Sequence, residues 1–80
     1  MYKNKAYNGT NNISGKNLKI YRKQLNLSQN GLAKLLQIEG LDLDKNAIQR
    51  IEAGTRFVTD IEVVAFCKAL NLKYNDLLKS

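Results

Sequence analysis

SQNGLAKLLQIEGLDLDKNAIQRIEAG, residues Ser28 to Gly54, decides how the rest of the chain is read. Two short helices are expected within it, and the second divides into two faces. At about 100° per residue, Ala47, Ile48 and Ile51 share one arc of that helix, while Lys45, Asn46, Gln49 and Arg50 share the other. The apolar arc belongs in a core. The polar arc needs water or a partner. Long donors at the start of a helix suit the major groove of DNA, where guanine offers two acceptors and adenine a donor and an acceptor. Taken alone, a solvated helix face explains such an arc equally plainly.

Working outward, Ser28 caps the first helix of the stretch, Gln29 to about Leu36, whose core face is Leu32, Ala33 and Leu36. Gln29 falls in its first turn, where free backbone N–H groups and the positive dipole end suit a phosphate. Gln37 to Leu43 holds a glycine and two acids and breaks the helical period, so it is expected to be a connection. Ile38, Leu41 and Leu43 are too apolar for a fully solvated loop, and at least two of them should pack beneath the following helix. Asp44 caps that helix, Lys45 to Ala53, and Gly54 suits the left-handed position just past its end.

Upstream, Ser14 is expected to cap a helix from about Gly15 to Leu25, with Leu18, Tyr21 and Leu25 on its inner face. Lys16, Lys19 and Lys23 form its solvated rim. Arg22 lies beside the apolar stripe and needs a partner, for which Glu52 is the candidate. Residues 1–13 show neither helical nor strand period and are expected to be a flexible basic arm, whose Lys3 and Lys5 could follow a phosphate backbone or enter a minor groove. Downstream, Thr59 and Glu62 form a T-x-x-E capping box before a helix starting near Asp60. Val63, Phe66, Cys67 and Leu70 recur at helical spacing, which places the single cysteine in the core as a small hydrophobe. A last short helix from Tyr74 or Asn75 returns Leu77 and Leu78 to the core. Five short helices result, so the fold class is all-α, with residues 14–80 forming the domain.

The chain has 80 residues, room for one domain with a thin core. It has no histidine and one cysteine, which leaves neither a disulfide framework nor a Cys/His metal set, and no cofactor is expected. There is no signal-peptide pattern and no apolar run long enough to span a bilayer, so the expected setting is the reducing cytoplasm, away from membranes. Net charge is +6, and no acidic residue precedes Glu39, which concentrates positive charge in the first half. Double-stranded DNA is the leading partner class for such a field.

Two patterns add a resemblance. L-S-Q-x-x-L-A-x-x-L from Leu27 to Leu36, followed by I-x-R-I-E-x-G from Ile48 to Gly54, resembles the phage-repressor and Cro-type helix-turn-helix family, also called XRE-type or lambda-repressor-like. Arg22 and the trailing V-x-x-F-C-K-A-L-x-L-x-x-x-D-L-L agree with it, so the likeness runs from about residue 15 to 78. The resemblance implies a five-helix DNA-binding domain in which Gln29 anchors a phosphate, Lys45, Asn46 and Arg50 face base edges, and two copies bind two half-sites. Two features depart from the pattern. The connection Gln37–Leu43 is longer than the usual glycine-centred turn, and Ala53 stands where some members carry a phosphate-contacting asparagine.

Three function classes follow. A sequence-specific DNA-binding transcriptional regulator, bound to its operator as a homodimer, accounts for the charge, the polar arc and the family pattern together. In that assignment Lys45, Asn46, Gln49 and Arg50 read bases, and Gln29 and Lys45 meet phosphate. The alternative is an antitoxin-type module that binds a partner protein and represses its own promoter. An enzyme is not expected: the chain has no histidine, no paired carboxylates on a helix face, no phosphate-cradling glycine loop and no activated nucleophile.

Overall fold

In the computed structural model, residues 9–79 are described, and these residues form five helices and no strand. They are α1 (Ser14–Gln24), α2 (Gln29–Ile38), α3 (Lys45–Glu52), α4 (Asp60–Leu70) and α5 (Tyr74–Leu78). The pair α2–α3 packs together, α1 lies against α3, α4 lies against α2 and α1, and α5 closes the bundle against α1 and α4. Leu18, Leu32, Leu36, Ile48, Ile51, Phe66 and Leu77 are fully buried and draw one core from all five helices. Cys67 lies among them on α4, where burial pushes its thiol pKa up, so it packs as a small apolar group.

Helix starts follow local chemistry. Ser28 Oγ accepts the Gly31 N–H, Asp44 Oδ1 accepts the Ala47 N–H, and Thr59 and Glu62 complete their reciprocal box. The start of α1 differs from expectation. Ser14 is its first residue and buried, and the cap oxygen is Oδ1 of Asn12, which accepts the Gly15 N–H at 2.7 Å. An asparagine reaches over Ile13 to do what the serine was expected to do.

Helix ends share one device. After α1, α2 and α3 the chain turns back through a left-handed residue, Asn26, Gly40 and Gly54 respectively. The next residue's N–H then returns five residues to a helical carbonyl: Leu27 to Arg22, Leu41 to Leu36, Thr55 to Arg50. This turn explains three departures. Leu25 is 53% exposed because the chain bends before it can face inward, and Leu27 takes the place against the core. Helix α2 runs on to Ile38, two residues past the expected end, because its stop is the turn at Gly40. Ile38 is 78% exposed, whereas Leu41 packs on the core and Leu43 lies inside it. The long connection is therefore anchored at two apolar points, as expected of at least two of the three. A fourth departure is Leu78, 43% exposed on the outer side of α5 while Leu77 faces in.

Within the stretch expected to be an arm, residues 10–12 are hydrogen-bonded to one another, to α1 and to the end of α3. Lys3 and Lys5 lie outside the described residues.

Candidate DNA-binding surface

Eight residues make α3, and its amphipathic pattern divides it as the sequence suggests. Ala47, Ile48 and Ile51 are buried, which turns Lys45, Asn46, Gln49 and Arg50 outward, all four exposed. Among the described residues none of the four makes a side-chain hydrogen bond or ion pair, so donors and amides line one face of the helix. The Asp44 cap fixes the first turn, where Lys45 and Asn46 sit. At the other end Thr55 N–H bonds Arg50 O and Gly54 N–H bonds Ile51 O, which satisfies the last carbonyls and gives the helix a defined stop.

Beneath that face, an ion pair joins three helices. Arg22 Nε and Nη2 donate to the two carboxylate oxygens of Glu52 at 2.7 and 2.9 Å, with side chains only 9% and 3% exposed. Arg22 Nη1 also donates to Leu27 O at 2.7 Å, tying the turn after α1. Hydrogen bonding to Glu52 raises the Arg22 pKa against the opposing effect of burial. Gln29, the first residue of α2, donates Nε2 to Glu52 Oε1 at 3.2 Å. One amide hydrogen of Gln29 is thus committed inside the protein, and its oxygen and second hydrogen remain for an outside acceptor or donor. The contact also holds the start of α2 beside the end of α3, so the dipole end and the polar arc belong to one rigid unit.

Three neighbouring residues carried only faint sequence signals. Arg56, inside the stretch read as a plain turn, forms a second bidentate pair with Glu62, at 3.0 and 2.9 Å, and donates to Phe57 O. Burial raises the Glu62 pKa, but the Arg56 hydrogen bonds, the Thr59 N–H and the Arg56 charge outweigh it and hold the carboxyl below its ordinary range. Asn11 and Asn12 bridge to the end of α3. A pair of asparagines just before a helix start is a capping signal, but nothing in the sequence shows which carbonyls their amides reach. Ala53 is exposed at the end of α3, with no side-chain polar group of its own.

No helix among the described residues is long and apolar enough to cross a membrane. No curated protein matches the chain. Among solved structures, the restriction-modification controller protein C.AhdI from Aeromonas hydrophila superposes with a TM-score of 0.69 and 28% sequence identity, covering 79% of this chain and 88% of that one. A helix-turn-helix family description matches residues 18–77, which include Arg22, Gln29, the whole of α3 and Glu52. With that match across most of its length, the chain belongs to the XRE-type helix-turn-helix family of DNA-binding transcription regulators.

Proposed function

We propose that the chain represses or controls a promoter by binding a specific operator in double-stranded DNA as a homodimer, one α3 in the major groove of each half-site. The observation that carries this is the free polar face of α3, Lys45, Asn46, Gln49 and Arg50, mounted rigidly beside the α2 N-terminus. An α-helix fits the major groove, and each of these side chains is long enough to reach base edges from it. Arg50 suits guanine and the amides of Asn46 and Gln49 suit adenine. Gln29 meets phosphate with its remaining amide hydrogen and the backbone N–H groups of its helix. Lys45, in the first turn, reaches either a base or a phosphate.

Two copies would engage half-sites one helical turn apart, about 34 Å. The likeness to a restriction-modification controller favours a regulatory role of that general kind. Selection of binding sites from random DNA supplies the operator, and a palindrome among them supports the dimer. Competition titration on selected and scrambled DNA then separates the contacts. Arg50→Ala and Asn46→Ala should each cost about 1–3 kcal/mol on the selected site and relax base choice at one position per half-site. Gln29→Ala should weaken all DNA alike, and Lys45→Ala should lower the salt slope by about one ion if it holds phosphate. Equal losses on both DNAs for Arg50→Ala and Asn46→Ala would remove α3 as the base reader.

A further inference from the structure

Residues 10–12 cross the C-terminal end of α3 and hold it by side-chain amides. Asn12 Nδ2 donates to the carbonyls of Ile51, at 3.1 Å, and Arg56, at 2.8 Å, while its Oδ1 accepts the Gly15 N–H at 2.7 Å. One side chain thereby joins the first turn of α1, the last turn of α3 and the segment leading to α4. Asn11 adds its backbone N–H to Gly54 O at 2.8 Å and Nδ2 to Thr55 O at 2.9 Å. Among the described residues the buried Asn11 Oδ1 has no hydrogen-bond partner, while its amide donor is kept on Thr55. Thr10 lies against Gly54 and closes the segment by donating its hydroxyl to Asn12 O at 2.7 Å.

At the same place α1 and α3 meet backbone to backbone. Gly15 is buried, and a Cβ built there would overlap the Ile51 carbonyl oxygen. The spacing of the two helices is thus set by main-chain atoms, which cannot repack as side chains do, and Asn12 locks that contact from above.

We propose that Asn12, assisted by Asn11, is a positioning residue for DNA recognition: it sets the angle at which α3 is presented to the bases. The proposal rests on base reading by α3. Arg50 directly precedes Ile51, whose carbonyl Asn12 holds, so a displacement at that carbonyl passes to Arg50 almost undiminished. Bidentate base contacts tolerate little displacement, because hydrogen bonds weaken steeply outside their narrow range of length and angle. Charge attraction to the phosphate backbone tolerates far more. Releasing the latch should therefore reduce discrimination between DNA sequences, leaving general affinity for DNA in place.

The test uses full-length wild type, Asn12→Ala, Asn12→Asp and Asn11→Ala, titrated by competition on DNA selected by the wild type and on scrambled DNA. Each variant's melting temperature and salt slope are measured alongside. Asn12→Ala should lose about tenfold on selected DNA and less than about twofold on scrambled DNA, with the salt slope unchanged. Asn12→Asp keeps the acceptor for Gly15 but sets an anion against two carbonyls, so it should do no better than alanine. Asn11→Ala should show a smaller loss of the same kind. Should Asn12→Ala and Asn12→Asp fail to fold, Asn11→Ala decides alone. An unchanged ratio of selected to scrambled affinity in folded variants would overturn the latch, as would equal losses on both DNAs. A wild type that prefers no DNA sequence would instead overturn base reading by α3 and the latch with it, an outcome visible before any variant is compared.

Discussion

Replacing Glu52 by alanine tests the joint between α1, α2 and α3. The pair it breaks is bidentate, 2.7 and 2.9 Å, between side chains 9% and 3% exposed, so water can do little to replace the lost partner. An exposed ion pair contributes about 0–1 kcal/mol, whereas removing one member of a buried pair costs about 3–5 kcal/mol because a charge is left unmatched. Arg22 would keep its bond to Leu27 O, which places Glu52→Ala near the lower end, at about 3 kcal/mol. In a domain of this size, each kcal/mol moves the melting temperature by about 4–8 °C, so a fall of about 12–24 °C is expected. Thermal melting by circular dichroism would read it, with urea titration showing a lower midpoint at unchanged slope. The double variant Arg22→Met/Glu52→Leu leaves no unmatched charge and should recover most of the loss. A shift below about 4 °C for Glu52→Ala would refute the claim that burial makes this pair matter.

Other outcomes follow from neighbouring geometry. The Glu62 carboxyl has a folded pKa below its ordinary 4.5, so the unfolded chain takes up its proton first; the stability it adds is complete above 4.5 and is lost as pH falls through the depressed folded value. Glu62→Gln should accordingly flatten the fall of melting temperature in acid, and an unchanged slope would show that the Arg56 contact adds nothing. Gly15→Ala should destabilise by about 1–3 kcal/mol or prevent folding, since a methyl group there meets the Ile51 carbonyl; a neutral melt would mean that α1 shifts freely. Leu43→Ala should cost about 2–5 kcal/mol and Ile38→Ala no more than about 0.5 kcal/mol, a contrast that urea titration can measure and that equal midpoints would contradict.

Much of this molecule is written in short-range chemistry. Ser28, Asp44 and the Thr59–Glu62 box announce three helix starts because a cap needs only one side chain and an N–H three residues on. The division of α3 into Ala47, Ile48 and Ile51 on one side and Lys45, Asn46, Gln49 and Arg50 on the other follows from helical geometry alone. For the same reason the candidate surface could be named before any fold was known. Leu25 and Leu78 mark where local periodicity fails, and Ile38 where apolar character alone misleads. Each sits at or just past a helix end, where a left-handed turn or the end of the helix, rather than the 3.6-residue repeat, decides which way a side chain faces.

Pairing across the chain divides in the same way. Arg22 and Glu52 could be matched in advance because each charge borders an apolar stripe and must not be buried alone. Arg56 lies on an irregular segment with no period to place it, so only the folded path of that segment brings it to Glu62 in the first turn of α4. Asn12 is the extreme case. The sequence by itself determined five helices, the caps of α2, α3 and α4 and the polar face of α3, all properties of residues within one or two turns of each other. Only the tertiary structure decided that Asn12 would hold Ile51 and Arg56, 39 and 44 residues away, because a neutral amide carries no sign to match and its carbonyl partners exist on every residue.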